Sequence, residues 1–356
     1  MKQKLTYVLF SLLFPGMVWC QNRSATDTTA NPQRPPMQRP AAGPRPYTEV
    51  ITARVKTDAG LFKVHKQDDR YFFEIGDDLL GRDILVVNRI AKAAAGGRVQ
   101  MMGYAGDQIG ENVIRFEKGP NNKLFLKNIT YQEMSNDTTE NGMYRSVINS
   151  NVQPIVAAFD VKAYGKDSVS GMRATVIDVT DFVNGDNDVL FFESNFKRGF
   201  SLGPLLSDRS YIEDIRSFPS NIEIRTIKTY NKMPAPSASG MPSAAASGPA
   251  TYELNSSIVL LPKTPMKPRY FDPRVGYFAT GYTDFDADPQ GVKRVAMITR
   301  WRLEPKDQDV EKYKRGELVE PKKPIVFYID PATPKKWIPY LIQGVNDWSV
   351  AFEKAG

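Results

Sequence analysis

The chain has 356 residues, 41% of them hydrophobic and 24% charged, a globular balance that excludes a disordered, collagen-like or multi-span membrane protein. One cysteine and one histidine exclude a disulfide framework and any thiolate zinc cluster, and leave no zinc site built on two or three imidazoles within the chain. The net charge of +7 is modest, spread out and not interleaved with aromatic residues, so it does not describe a nucleic-acid-binding stripe.

Met1 to Cys20 has the layout of a secretory signal peptide: Lys2 and Lys4 form a basic start, Leu5 to Leu13 is mostly apolar, and Pro15–Gly16 precede a cleavage region. The apolar run falls short of the roughly 20 residues of a transmembrane span. Cleavage after Cys20 removes the only thiol. Lipidation of Cys20 is the rival reading, and the bulk of Trp19 disfavours it. The chain is thus expected to be exported, whether periplasmic, held at the cell surface or secreted. Without Lys2 and Lys4, the 47 basic residues fall to 45 against 40 acidic ones, a net charge of +5.

Residues 21–47, rich in Pro, Arg, Thr, Ala and Gln, are expected to form a disordered tether. A small β-rich domain is then expected over 48–100. Tyr71, Phe73 and Ile75 alternate with Phe72 and Glu74, and Ile84–Val87 is a short buried run. A larger β-rich domain is expected over 101–303. Val113–Phe116 and Lys123–Leu126 flank Gly119–Pro120–Asn121–Asn122 as a hairpin, and Ile155–Tyr164 and Ala174–Val179 continue the pattern. Ile222–Ile227 and Ser257–Leu261 read as strands joined by a flexible loop at 233–250, since surface loops tolerate length cheaply.

The pattern changes after residue 304. Ile325–Ile329 reads as a strand buried on both faces, Thr333 as a helix N-cap and Pro334 as the first helical position. Ile338, Leu341, Val345, Trp348 and Phe352 then place one apolar stripe along a helix that ends at Gly356. The fold class is therefore mainly β, followed by one strand and one helix that open an α/β layer. Burial of the five stripe residues is worth about 7–15 kcal/mol, so the helix needs a sheet to lie on, and the expectation is that more chain belongs downstream.

Few residues suggest chemistry. His65 shares a strand face with Lys63 and reads as a surface residue rather than a ligand or base. Ser194 and Lys197 match a Ser-x-x-Lys pattern, but the accompanying motifs of acyl-transfer enzymes are missing, and the match is rejected. Asp284, Asp286 and Asp288 resemble the start of a calcium loop. Pro289 and Val295 occupy the positions that need Gly and Glu, so an acidic surface turn is favoured over a calcium site. No catalytic, cofactor-binding or metal-ligating residue is assigned.

Several long segments in order carry a resemblance. Gly60–His65, Phe73–Ile75 with Leu80–Leu85, Ser217–Pro219, Arg274–Phe278, Ile298–Glu304, Ile325–Tyr340, Gly344–Trp348 and Ala351–Gly356 are similar to the large exported bacterial zinc-dependent metalloproteases. Those proteins have two N-terminal domains of unknown function and a metzincin-like catalytic domain. The resemblance implies that residues 304–356 begin that catalytic domain and that zinc serves the full-length family. It implies peptide-bond hydrolysis by a zinc-bound water held through a His-Glu-x-x-His motif, which this sequence lacks. The chain is accordingly expected to be the non-catalytic N-terminal portion of such an enzyme, a fragment or truncation, inactive alone and binding no zinc itself. Its expected partner is a downstream catalytic domain in cis, with polypeptide as the substrate of the whole enzyme. The alternative is a stand-alone exported β-rich module that binds peptide or glycan.

Overall fold

The computed structural model describes residues 43–99, 101–166, 171–233, 247–288 and 290–355. The expected signal peptide and most of the expected tether lie outside the described residues, as do residues 234–246 of the expected 233–250 loop. Residues 43–47, at the end of that tether, are instead docked: the Arg45 amide donates to the Lys162 carbonyl at 2.8 Å.

The fold is mainly β, as the alternating sequence predicts. Its first strands are β1 (Lys56–Ala59), β2 (Lys63–Gln67), β3 (Arg70–Gly76) and β4 (Ile84–Lys92). They are followed by β5 (Gln108–Lys118), β6 (Lys123–Asn128), β7 (Glu133–Met134), β8 (Ile155–Lys166) and β9 (Arg173–Asp178). Then come β10 (Leu202–Leu205), β11 (Tyr211–Phe218), β12 (Asn221–Lys232), β13 (Gly248–Leu260), β14 (Ala279–Asp288) and β15 (Gly291–Ile298). The helices are short: α1 (Tyr47–Val50), α2 (Tyr144–Ser150), α3 (Thr180–Asn184), α4 (Ser194–Gly199), α5 (Val310–Lys314), α6 (Ile338–Asn346) and α7 (Ser349–Ala355).

Twelve strands make one sheet in the order β1-β2-β3-β9-β8-β6-β5-β4-β13-β12-β10, with β11 also paired to β12. The expected boundary at 100–101 falls between β4 and β5, which are hydrogen-bonded neighbours with Ile84 opposite Ile114. β3 likewise pairs with β9, Phe73 opposite Ile177. The two expected domains therefore share one continuous sheet.

The sheet curls until its ends nearly meet. At the seam the Leu61 amide donates to the Phe218 carbonyl at 2.7 Å, Ser217 Oγ donates to the Phe62 carbonyl at 2.7 Å, and the Ser217 amide donates to Asp58 Oδ2 at 2.9 Å. Gly60 permits this approach: a Cβ there would stand 2.5 Å from Ser217 Oγ and 2.6 Å from the Phe218 backbone.

Inward-facing residues alternate along each strand. Ile84, Val86 and Ile90 of β4, Ile222 and Ile224 of β12, and Leu254 and Ile258 of β13 are buried in one core. The connection between β9 and β10 enters this interior and fills it with Val183, Val189, Leu190, Phe191, Phe192 and Phe200. Phe191 adopts φ 75°, a left-handed conformation costly for a bulky side chain, held here by complete burial.

A second sheet, β15-β14-β7, stands on the connection between β6 and β8. Beyond it the expected strand at Ile325–Ile329 is not formed: these residues have no strand pairing, because no neighbouring strand offers their backbone a ladder among the described residues. The expected single helix is two, α6 and α7, interrupted at Asp347–Trp348. Gly344, Asn346 and Asp347 are all weak helix formers, which accounts for the break. Neither helix has a buried residue.

Candidate functional site

Three polar clusters and one apolar groove are the candidates. The first cluster corrects the reading of His65. β2 pairs with β3 so that Lys63 faces Glu74 and His65 faces Phe72. The face they share lies not in water but beneath α1. His65 is 2% exposed, its Nε2 is 2.9 Å from Glu74 Oε2, and its Nδ1 is 2.8 Å from Thr57 Oγ1. Glu74 also accepts Lys63 Nζ at 2.8 Å and the Tyr47 hydroxyl at 2.7 Å.

Burial alone would raise the Glu74 pKa; the hydrogen bonds from His65, Lys63 and Tyr47 overcome it and bring the carboxyl down to about 2. Burial, and then the Glu74 carboxylate, push the Tyr47 phenol up. Gly165 makes room, since a Cβ there would lie 2.6 Å from Glu74 Oε1. Both ring nitrogens of the one histidine are engaged, and the described residues hold no group of three His, Cys, Asp or Glu side chains able to take a metal. The donor set does not fit a catalytic zinc ion.

The second cluster was not visible as a site in the sequence. Lys228 of β12 is fully buried and its Nζ donates to the carbonyls of Val183, Asn184 and Gly185 at 2.6, 2.7 and 3.0 Å. These carbonyls end α3, where a cation is favoured. Burial pushes the amine down to about 7, opposed by the Asp186 carboxylate. Asp186 accepts the Tyr230 hydroxyl at 3.2 Å and pairs with Lys197 at 2.9 Å.

Ser194 Oγ donates to Asp188 at 2.9–3.0 Å, and Lys197 reaches the same carboxylate at 3.5 Å. The serine and lysine of the Ser-x-x-Lys pattern are thus held by aspartates. Lys228 ties the β9–β10 connection to the barrel wall, a structural assignment for a fully buried amine.

The third cluster concerns Asp284 and Asp286, both on β14. Asp286 accepts from Ser135 Oγ at 2.6 Å and from the Asn136 and Asp137 amides, which hold its carboxyl below the usual carboxylate range, Ser135 foremost. Asp284 Oδ1 accepts the Asp286 amide at 3.0 Å. Asp288 ends the same strand. These three donors face Asp286, and the carboxylate fastens the β14–β15 hairpin to the chain after β7.

The apolar groove lies in the C-terminal stretch. Trp301, Ile325, Phe327, Val345, Trp348 and Phe352 line a cleft of about 430 Å³. Ile325, Ser349 and Phe352 continue into a second cleft of about 540 Å³ with Leu303, Tyr313 and Leu318. Trp301 and Phe327 meet edge to face, centroids 6.2 Å apart. Trp348 is 67% and Trp301 54% exposed. An exposed contiguous surface of this kind marks an interaction site, and it is the candidate functional site of the described residues.

No helix among the described residues is long and apolar enough to cross a membrane. No curated protein and no solved structure shows a significant match to the chain. Residues 44–93 match the family described as Domain of unknown function (DUF5118); they span α1 to β4. Residues 106–306, more than half of the chain, match a second family model and contain β5 to β15. The chain therefore belongs to the family described as Domain of unknown function (DUF5117).

Proposed function

We propose that this chain is the non-catalytic N-terminal region of an exported zinc-dependent metallopeptidase, and that it supports a catalytic domain supplied by downstream sequence. One observation carries the reading: the groove built by Trp301, Phe327, Trp348 and Phe352 is open and apolar, a platform on which a further layer can bury its surface. The ordered resemblance of the segments named above supports it. On this reading the zinc ligands belong to the downstream domain, and the barrel supplies an anchored base that contributes none.

The test starts with the reading frame beyond Gly356. A His-Glu-x-x-His motif within the next few hundred codons is expected. The segment carrying it, produced separately, is expected to bind the full 356-residue chain and to lose binding when Trp348 is replaced by Glu. A stop codon without the motif, or an indifferent Trp348→Glu variant, removes the proposal.

A second reading uses the same groove as an exported peptide- or glycan-binding module, favoured by the exposure of Trp348 and Trp301, since aromatic anchors dominate recognition surfaces. Saturable binding of an oligosaccharide or peptide to the chain, with no motif downstream, would replace the first reading with this one.

A further inference from the structure

The barrel core contains a polar layer that the clusters above do not use. Asn88 on β4, Ser256 on β13 and Thr226 on β12 are each completely buried and alternate with the inward-facing Val86, Ile90, Ile224, Leu254 and Ile258. Ser256 stands directly opposite Asn88 across one strand pair and opposite Ile224, two residues before Thr226, across the other. Ser256 on the middle strand therefore has Asn88 directly opposite on one side and Thr226 diagonally across on the other.

Asn88 Nδ2 donates to the Val189 carbonyl at 2.9 Å. That bond fixes the amide, because the flipped orientation would set two oxygens against each other. Asn88 Oδ1 therefore faces into the layer as an acceptor. Asn88 Oδ1, Ser256 Oγ and Thr226 Oγ1 have no hydrogen-bond partner in the protein. Buried polar groups are seldom left so.

We propose that one internal water molecule binds here, shared by Asn88 Oδ1, Ser256 Oγ and Thr226 Oγ1. It donates one proton to Asn88 Oδ1 and one to a hydroxyl oxygen, and accepts from the other hydroxyl. Three polar partners are what an integral water requires. The small Ser256 side chain and the register shift between Asn88 and Arg89 in the β4–β5 pairing fall at this point of the wall. The nearby void of about 20 Å³ bounded by Phe116, Phe159, Ile224 and Ile258 is a different place. Its walls are apolar, and such a space stays dry.

The water acts through Asn88 on Val189, and so helps hold the chain leading to the strained Phe191. A high-resolution crystal structure of the full chain is expected to show one isolated density peak about 2.7–3.2 Å from both Asn88 Oδ1 and Ser256 Oγ. Thr226→Val, which keeps the shape and removes one partner, is expected to lower the thermal midpoint by about 2–4 °C. A direct Asn88–Ser256 hydrogen bond with no density between them overturns the proposal. So does a Thr226→Val midpoint that is unchanged or raised, because a dry site gains from losing an unpaired hydroxyl.

Discussion

Lys228 and Phe191 meet inside the barrel, the amine nitrogen 4.3 Å from the ring centroid, on the residue pair where a buried cation and a left-handed backbone coincide. The amine also closes the end of α3. This contact has a measurable pH signature. In the folded chain Lys228 titrates near 7, against 10.5 for a free lysine. Between those values the unfolded chain holds the extra proton, so the lysine makes stability rise with pH across that window. One proton corresponds to a limiting slope of about 1.4 kcal/mol per pH unit. Denaturant titrations of the wild type and Lys228→Met from pH 7 to 10.5 are expected to diverge with that sign; parallel curves would refute the assignment.

Glu74 works in the opposite range. Its folded pKa near 2 lies below the usual 4.5, so its contribution is complete above 4.5 and fades as the pH falls toward 2. Glu74→Ala leaves Lys63, His65 and Tyr47 without their shared acceptor and is expected to cost about 3–5 kcal/mol at neutral pH. Its acid titration should lack the wild-type loss below pH 4.5. An acid limb of equal depth in both proteins would count against the network.

The seam rests on one missing side chain. Gly60→Ala places a methyl 2.5 Å from Ser217 Oγ and is expected to destabilise by about 1–3 kcal/mol. Gly276→Ala, which meets nothing within 4 Å, serves as the control and is expected to be neutral. Equal midpoints for the two variants would show that the strands do not close at this point.

The groove is expected to bind an apolar dye in the free chain. Trp348→Ser combined with Phe352→Ser should reduce that fluorescence several-fold while leaving the unfolding midpoint nearly unchanged, since neither helix has a buried residue. A large drop in midpoint would mean that α6 and α7 already pack on the barrel.

Much of the β architecture could be read from alternation. Ile84–Val87, the Gly119–Asn122 hairpin and Ile222–Ile227 all lie where periodicity puts them. What periodicity misses is the environment of polar residues. His65 lies between lysines, so its pattern suggests water, and only the pairing of β2 with β3 beneath α1 encloses it. Glu74 carried the better clue, a lone charge inside the apolar run Tyr71–Ile75. Lys228 was legible in principle, being in phase with Ile222, Ile224 and Thr226 on the buried side of β12. Its partners, the carbonyls ending α3, are more than 40 residues away and no local pattern names them. Ile325–Ile329 failed for the converse reason: composition suits a buried strand, but a strand exists only where another backbone pairs with it.

The interlacing of strands across residue 100 bears on how the chain reaches its native state. β3 waits for β9, some hundred residues later, and β4 must be flanked by both β5 and β13. Closure of this kind belongs to slow, non-local assembly. Splitting the polypeptide between its two family-matched stretches would strand naked ladders on either half, the sort of edge that recruits foreign strands into aggregates; each half needs the other as its template.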